Sequence, residues 1–343
     1  MLYKRFWVSK GAIRPYSGLA RIRAMNVVHT ISELSSEDLQ HGSCVTIGNF
    51  DGVHLGHQAL LHRTKERARE LGLASIVVTF DPHPLRVIRG QTPPFITLIE
   101  QKMALLSAIG LDHTVCLPFT REMAELTPEE FVQLYLVQGL KAKALIIGHD
   151  YVFGKNKRGN YELLKELGLR HGFVVEKIEP IYKNGDVVSS TRIRNLVQAG
   201  RVDEVRPLLG RYYQVSGSVI VGHKRGGPIL GIPTANLKLV DELYPQPGVY
   251  AVWAELGDEI LPAVANVGYN PTFGNDALSV EVHILDFARD LYGQKVRINF
   301  VQHIRPEQKF AGLEELKTQI HRDIAQAREM LSNPETFIYT CKA

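Results

Sequence analysis

The sequence predicts an α/β domain with a parallel sheet, followed by an antiparallel β domain and a closing helix. From about residue 43 to residue 199, short β-branched runs alternate with helical patterns, which is typical of a parallel sheet covered on both faces. After about residue 209, apolar β runs follow one another with Gly, Pro and Asn between them, which predicts a barrel or a sandwich. A helical pattern over 312–331 ends this region. The change of pattern places the domain boundary near Leu209-Gly210.

The elements of each region follow from their residue patterns in chain order. A strand begins at Asn26, Val45-Thr46-Ile47 forms the next, and a helix is predicted near 57–71. The apolar face of that helix consists of Leu60, Leu61, Thr64, Ala68 and Leu71. Further strands are predicted at 75–80, 113–117, 144–147 and 173–175, and further helices near 97–109, 127–138 and 160–170. The second region has β runs at 213–221, 249–254, 260–267, 280–285 and 296–301.

The composition is that of an ordinary globular protein, with 45% hydrophobic and 22% charged residues. A chain of 343 residues is long enough for two domains. No apolar run approaches the roughly 18–20 residues that a membrane span needs. Cys44, Cys116 and Cys341 are scattered, which disfavours a disulfide framework or a structural zinc site and favours a reducing, cytoplasmic location.

The formal net charge of +4 comes from the first 24 residues. They carry six basic residues and no acid, which leaves 34 basic against 36 acidic residues in the remainder, a net of −2. The body of the protein therefore lacks the positive charge that general nucleic-acid binding requires. We interpret residues 1–24 as an extension upstream of a start at Met25, in preference to a basic arm or a transit peptide. In each case we expect them to be poorly ordered.

Two histidines stand where an apolar strand gives way to a helix, and residues 46–57 are the most informative stretch of the chain. His54 and His57 are three apart, with Gly56 between them. The N-terminus of a helix leaves backbone N–H groups unpaired and binds phosphates well. Gly56 lets a nucleotide approach the backbone closely. Metal ligation is the alternative, but no matching third and fourth ligand lies nearby in the sequence. The stretch therefore predicts nucleotide chemistry.

A second cluster, at 189–194, combines hydroxyl groups with guanidinium groups. A helix cap accounts for one of the hydroxyls of Ser189, Ser190 and Thr191. It does not account for all three followed by Arg192 and Arg194. Guanidinium groups give directional, charge-assisted hydrogen bonds, so the cluster suits a triphosphate.

Three loops follow predicted strands of the first region, at 48–57, 81–84 and 148–159. The last of them is punctuated by glycines and carries three basic residues, and a solvated surface turn is its alternative interpretation. Ligands of parallel sheets lie at the carboxyl ends of the strands. We therefore expect the three loops to converge on one crevice.

The second region contains a hydroxyl, an amide and a carboxylate that suit phosphoryl chemistry. Thr234 and Asn236 share a face in extended backbone, and their oxygens suit Mg²⁺ carrying a phosphate chain. A turn that starts at Pro233 is the alternative interpretation. Strict alternation places Glu281 and His283 on one face of a strand, with aliphatic residues on the other. Glu281 is either solvated or accepts a proton from a hydroxyl nucleophile.

Taken together, these motifs resemble those of the bacterial bifunctional riboflavin kinase/FAD synthetase family, in the family's order and over nearly all of the chain from Met25 to about residue 331. The matching segments are 48–57, 78–84, 148–159, 188–194, 231–237, 248–250, 267–273 and 280–287. The resemblance implies a Rossmann-like nucleotidyltransferase domain over 25–209, which adenylylates FMN to FAD with release of pyrophosphate. It also implies an antiparallel β-barrel domain with a terminal helix over 210–343, which phosphorylates riboflavin with ATP and Mg²⁺.

The resemblance also implies roles for individual residues. His57 is the catalytic residue of adenylylation, and the ATP-binding residues of that site are Asn49, His54, Gly56, His57, Ser190, Thr191 and Arg194. Asp81, Pro82 and Pro84 belong to the flavin-binding loop. In the kinase domain Thr234 and Asn236 bind ATP and Mg²⁺, and Glu281 is the base for the ribityl hydroxyl. Riboflavin, FMN and ATP are the expected partners, without nucleic acid or membrane.

The chain departs from the family pattern at two positions. Pro228 stands where an arginine is common, so phosphate contacts on the kinase side are expected to be weaker or to come from Lys224 or Arg225. Lys157 stands at a usual arginine position, beside Arg158, and keeps the charge without the forked geometry. We expect neither change to abolish activity.

Two other functions compete with this one. Another nucleotidyltransferase with the same histidine pattern would leave Thr234, Asn236 and Glu281 unexplained. A non-catalytic flavin or nucleotide sensor gains slight support from Pro228 and is disfavoured by Glu281 and the paired histidines.

Overall fold

The structure is a computed structural model that describes residues 26–220, 232–240, 242–270 and 277–333. The described residues form two compact units. The first contains 26–193 and Leu208–Gly210, and the second contains Arg194–Pro207 and the described residues from Arg211 onward. The expectations for residues 1–24 and for Pro228 lie outside the described residues.

A six-stranded sheet, parallel throughout, forms the centre of the first unit. Its strands are β1 (Asn26–Val28), β2 (Ser43–Ile47), β3 (Ala74–Phe80), β4 (His113–Leu117), β5 (Ala142–Gly148) and β6 (Val174–Ile178). Their order is β1-β4-β3-β2-β5-β6, and all neighbours run parallel. The order reverses beside β2, because the chain passes from β2 outward to β3 and β4 and then places β5 on the other side. A ligand crevice is expected at such a reversal, beyond the carboxyl ends of the strands.

The helices predicted near 57–71, 97–109, 127–138 and 160–170 are all found close to those positions. The α-helices described within the first 209 residues are α1 (Leu55–Leu71), α2 (Pro84–Arg89), α3 (Ile99–Ile109), α4 (Arg121–Glu125), α5 (Pro128–Phe131), α6 (Tyr161–His171), α7 (Ser190–Gln198) and α8 (Arg206–Leu209). Successive residues of β2 point to opposite faces of the sheet and belong to different apolar clusters. Val45 belongs to the cluster of Leu136, and Cys44 belongs to that of Ala68, so both faces are covered. A short hairpin of β7 (Tyr182–Lys183) and β8 (Asp186–Val187) precedes α7.

Two helices differ in detail from the sequence prediction. Leu61, Thr64 and Ala68 of α1 are buried as predicted, but Leu71 is 43% exposed because it is the last residue before Gly72 ends the helix. Thr127 caps α5 in a capping box, as its pattern predicts, and the chain then continues as a π-helix over Val132–Gly139.

The second unit is a closed antiparallel barrel rather than a sandwich. Its strands are β9 (Tyr213–Ile220), β10 (Ala235–Leu237), β11 (Gly248–Leu256), β12 (Glu259–Asn270), β13 (Ala277–Ile284) and β14 (Lys295–Arg305), and α9 (Leu313–Ser332) follows them. The barrel closes in the order β10-β13-β12-β11-β14-β9. The sequence did not predict β10 as a strand.

The two faces of the barrel wall have different roles. Tyr213, Tyr250 and Phe300 are completely buried and pack against one another. The alternate residues of β11, such as Trp253, face outward and pack with Ala327 of α9. The terminal helix therefore covers part of the outer wall.

Two ion pairs join α9 to the barrel unit. Arg305 of β14 donates to both oxygens of Asp323, at 3.0 Å from Nε and 2.8 Å from Nη2, and Asp323 is buried. Arg328 donates to both oxygens of Asp286 at 2.8 Å, but this pair is exposed. The buried pair is expected to matter far more for stability than the exposed one.

We expect Asp323→Asn to lower the free energy of unfolding of the barrel unit by about 3 kcal/mol, because it leaves Arg305 without its buried counter-charge. Denaturant titration checks this result. The matched control is Asp286→Asn, which breaks the exposed pair of the same helix and should cost less than about 1 kcal/mol. Equal effects of the two substitutions would contradict the prediction.

Candidate active sites

The turn after β2 lies at the reversal of strand order in the first unit. Phe50, Gly52 and Val53 all have positive φ, at 50°, 88° and 39°, so the backbone is tightly folded there. The carboxylate of Asp51 is buried and accepts hydrogen bonds from the backbone N–H groups of Ile96, at 3.0 Å, and Thr97, at 3.1 Å. These bonds fix the turn before α1 begins.

His54 and His57 lie together at the start of α1. His54 is the N-cap residue, and its Nδ1 accepts a hydrogen bond from the backbone N–H of His57 at 3.4 Å. The two imidazole rings stack, with centroids 3.6 Å apart, and the edge of Phe50 packs on His57. The sequence expectation that both histidines occupy a strand-to-helix junction is thus met.

The imidazole of His57 is neutral at pH 7. Its pKa lies well below the usual range because burial, and then the charges of His54 and Lys102, disfavour the protonated form. Its Nδ1 is buried and has no hydrogen-bond partner among the described residues. A neutral imidazole has one N–H donor and one acceptor, and it can therefore donate a hydrogen bond to a phosphate oxygen.

Gly56 lies against the ring of His54. A Cβ atom at residue 56 would stand 3.2 Å from two atoms of that ring and 3.7 Å from the carbonyl oxygen of Val188. His54 is buried and stacked on His57, so it has little freedom to give way. The absence of a side chain at Gly56 therefore preserves the arrangement of the two histidines.

We expect Gly56→Ala to lower FAD formation by at least about tenfold, since the added methyl group displaces the stacked histidines and small misplacements are costly in catalysis. Steady-state assay of FAD formation from FMN and ATP measures the effect. Gly312→Ala is the matched control, because Gly312 also lies at the start of a helix, as its N-cap residue, but has nothing within 4 Å of its Cβ position. Full activity of Gly56→Ala would contradict the prediction.

The hydroxyl cluster meets the histidine turn. Ser190 Oγ donates to the backbone oxygen of Asp51 at 2.9 Å, and Ser189 Oγ accepts from the backbone N–H of Arg192 at the start of α7. Thr191 is the second residue of α7, and Arg194 follows Ser190 one turn later on the same helix. The turns around His57 and Ser190 therefore share one region of the first unit, as the sequence predicts.

The guanidinium group of Arg192 is used in contacts within the fold and is not left open to bind a phosphate. Its guanidinium group donates to the backbone oxygens of Lys183, at 3.0 Å, and Asp186, at 3.1 Å. It thereby ties α7 to the β7–β8 hairpin. The sequence grouped Arg192 with Arg194 as a phosphate ligand because the hairpin had not been predicted.

The other two loops also follow strands at the same edge of the sheet. Asp81 and Pro82 are exposed after β3, and Pro84 is the first residue of α2, which His83 caps by accepting from the backbone N–H of Leu85. Because β2, β3 and β5 are parallel neighbours, the loops that follow them lie at one edge, as predicted.

The glycine-punctuated loop after β5 is closed on itself. Phe153 pairs with Gly159 across a β-bridge, and its ring packs with Phe131 and Tyr151. Of the three basic residues, Lys155 forms an ion pair with Glu125 at 2.6 Å. The apolar side chain of Phe153 therefore anchors the loop, a role that no sequence motif indicated.

A cavity of about 340 Å³ lies between the outer wall of the barrel and α9. Thr234, Asn266 and Glu281 line it from the strand side, and Leu316, Ile320 and Ile324 line it from α9. Such a cavity, whose lining combines apolar and polar side chains, suits a ligand with an aromatic ring and a hydroxylated chain.

Glu281 lines the cavity from the barrel side. In the register of the barrel it stands between Asn236 of β10 and Asn266 of β12. Directly opposite residues share a face of the sheet, so these three side chains are neighbours on the outer wall. Val280 and Val282, on either side of Glu281, are buried, as the predicted alternation requires.

Thr234 is brought to this wall by His283. The imidazole Nδ1 of His283 lies 2.8 Å from the backbone oxygen of Pro233, which directly precedes Thr234. Thr234 and Glu281 thus line the same cavity although 47 positions of sequence separate them. His283 had been identified from the sequence only by the face that it shares with Glu281.

The sequence motifs did not identify the charged residues on one side of the cavity. Arg305, Glu307 and Asp323 also line it, and the carboxylate of Glu307 occupies the space where a side chain of residue 268 would stand. Burial raises the pKa of Glu307, and the charge of Arg305 opposes that shift. The glycine at 268 was the one sequence signal that a close approach occurs there.

Comparison with known proteins matches each unit to a separate enzyme family. The family model described as FAD synthetase matches residues 36–192, and the one described as riboflavin kinase matches residues 209–331. A bifunctional riboflavin kinase/FMN adenylyltransferase of Pseudomonas fluorescens is 41% identical over 89% of this chain and 98% of its own length. The enzyme of that name from Escherichia coli strain K12 is 39% identical over 89% of this chain and 97% of its own length.

A solved structure resembles the whole arrangement of elements. It is described as a macrolide-efflux protein from Streptococcus pneumoniae, is 31% identical, and covers 89% of this chain and 99% of its own with a TM-score of 0.79. In the described part of this chain, no helix is both long and apolar enough to cross a membrane. The same residues contain no group of three His, Cys, Asp or Glu side chains placed to hold a metal ion.

Proposed function

Because the chain belongs to the bifunctional riboflavin kinase/FMN adenylyltransferase family, we propose that its two reactions take place at two separate sites, one in each compact unit. The chain phosphorylates riboflavin to FMN with ATP, and it adenylylates FMN to FAD. We assign residues 25–209 to the adenylyltransferase domain and 210–343 to the kinase domain. The separate ranges matched by the two families support this division.

In the adenylyltransferase domain, the FMN phosphate attacks the α-phosphorus of ATP, and pyrophosphate leaves. His57 is the catalytic residue, since its neutral imidazole donates a hydrogen bond to the phosphate oxygen on which charge develops. The other ATP-binding residues are Asn49, His54, Gly56, Ser190, Thr191 and Arg194. The bond from Ser190 to the backbone of Asp51 supports this assignment, because it joins the two segments.

FMN approaches along the loop after β3. Asp81, Pro82 and Pro84 form its flavin-binding part, because they follow the strand next to β2 at the ligand edge of the sheet. The exposure of Asp81 and Pro82 leaves this loop open to a substrate.

In the kinase domain, the terminal hydroxyl of the ribityl chain attacks the γ-phosphorus of ATP, the bond from that phosphorus to the bridging oxygen breaks, and ADP leaves. Glu281 accepts the proton of that hydroxyl, and the cavity beside it orients the flavin. Thr234 and Asn236 would hold Mg²⁺ with the ATP phosphates, since a hydroxyl and an amide oxygen next to a carboxylate are hard ligands of the kind that Mg²⁺ prefers. When bound, the ion would neutralise negative charge on the phosphates.

The observation that carries this proposal is the presence of two polar clusters, around His57 and around Glu281, in different compact units. Incubation with riboflavin, ATP and Mg²⁺, followed by chromatography, tests it. FMN followed by FAD is the expected result. FMN alone would mean that the first site is inactive, and neither product would favour a sensor or another nucleotidyltransferase. Omission of Mg²⁺ should abolish FMN formation.

The remaining assignments concern location and partners. Riboflavin, FMN and ATP are the substrates, and we assign neither a nucleic acid nor a membrane partner. A cytoplasmic location is proposed from the cysteines, of which Cys44 and Cys116 are free and buried in the described part of the chain.

A further inference from the structure

Lys102 has a buried ammonium group at the edge of the sheet that carries His57. The residue lies on α3 and is 8% exposed. Its Nζ donates to the backbone oxygen of Asn49 at 3.3 Å, to Thr79 Oγ1 at 3.1 Å and to the backbone oxygen of Phe80 at 3.4 Å. These acceptors stand at the carboxyl ends of β2 and β3, so the ammonium group joins the two loops of the crevice.

The positive charge of Lys102 has no ion-pair partner within the described part of the chain, where its three bonds go to neutral oxygens. Burial lowers the pKa of Lys102, and the charges of Cys116, Asp51 and Asp81 oppose that shift. Asp51 is already engaged by two backbone N–H groups. A buried cation is normally paired, because its desolvation is costly.

The hydrogen bonds alone do not explain why this residue is charged. A neutral side chain can donate to a carbonyl oxygen or a hydroxyl without the cost of burying an ion. The charge also lowers the pKa of His57, although less than burial and the charge of His54 do. The charge therefore has an effect in the crevice itself.

We propose that Lys102 is a positioning residue of the adenylylation site, whose ammonium group holds the turn at Asn49 and whose positive charge is balanced by the phosphates of bound ATP and FMN. This inference rests on the proposed function of the site. Bound phosphates bring several negative charges to the ligand edge of the sheet, and a cation in a water-poor environment stabilises them more strongly than one in solvent. In the absence of substrate, the same cation adds to the effect of burial and of His54 in lowering the pKa of His57.

The test replaces Lys102 with an uncharged residue of similar length. Lys102→Met should lower kcat/KM for FMN in FAD formation on the order of 10²-fold, while FMN formation from riboflavin stays unchanged. Lys102→Arg, which keeps the charge, should retain more activity than the methionine variant. Histidine-selective NMR titration should show a higher pKa for His57 in Lys102→Met, which a merely structural role would not produce.

Lys65→Met is the matched control. Lys65 is exposed on α1 and donates to the backbone oxygen of Ile109 at 2.9 Å, so this substitution also removes a lysine-to-carbonyl bond. It should leave both activities unchanged. Folding is checked by circular dichroism, and Lys102→Gln, which keeps a donor for Asn49, replaces the methionine variant if that variant unfolds.

Two results would overturn the inference: FAD formation within twofold of the native rate in a folded neutral variant, or an unchanged titration of His57. A failure of the proposed site is recognised separately. If His57→Ala leaves FAD formation intact, the site itself is wrongly assigned. If His57→Ala removes it and neutral Lys102 variants do not, only the inference about Lys102 fails.

Discussion

Replacement of His57 by alanine is expected to reduce FAD formation by about 10²–10³-fold while FMN formation from riboflavin continues at the native rate. The imidazole is neutral and sits in the first turn of α1, and its one N–H group can donate to a phosphate oxygen. Alanine removes that donor and the ring that stacks on His54. Separate assays with riboflavin and with FMN as the starting flavin measure the two activities.

His62→Ala is the matched control for this experiment, because His62 is exposed on the same helix. It should preserve both activities. Loss of both activities in a folded His57→Ala protein would contradict the assignment of the two reactions to two sites. Retained FAD formation would show that His57 does not serve the reaction.

The converse result is expected for Glu281→Gln. Glutamine keeps the shape of the side chain between Asn236 and Asn266 but cannot accept the proton of the ribityl hydroxyl. General-base catalysis typically contributes about 10²–10⁴-fold, so FMN formation should fall by a factor in that range. FAD formation from added FMN should stay at the native rate, because its catalytic residue His57 lies in the other unit.

Glu259→Gln provides the control in the barrel. Glu259 is on β12 and pairs with Arg289, and it does not line the cavity. A slow rate in both variants would mean that loss of charge weakens the barrel in general. A native rate in Glu281→Gln would exclude Glu281 as the base.

Periodicity and local motifs predicted the elements well where the signal is short-range. The cap at Thr127 and the alternation around Glu281 depend on residues within a few positions, and both are found. The family resemblance supplied the barrel, which the residue pattern alone could not separate from a sandwich. Closure depends on β10, a strand of three residues that is too short to show a period.

The parts that the sequence did not predict depend on contacts between distant segments. Arg192 looked like a phosphate ligand until the hairpin supplied its carbonyl partners. Lys102 resembles any lysine of an amphipathic helix, and only the arrangement of β2 and β3 shows that its ammonium group is buried. Asp323 likewise appears as an ordinary surface residue of α9 until Arg305 is placed beside it.

The placement of the kinase cavity outside the barrel wall has a consequence for how this domain can diverge. The inward residues, such as Val282, maintain the interior, and the outward ones, such as Glu281 and His283, line the cavity. Mutational drift on the outer surface can therefore retune substrate preference while the interior stays intact. Selection for a new flavin analogue acts on the outward residues of this strand, and selection for foldability acts on the inward residues that alternate with them.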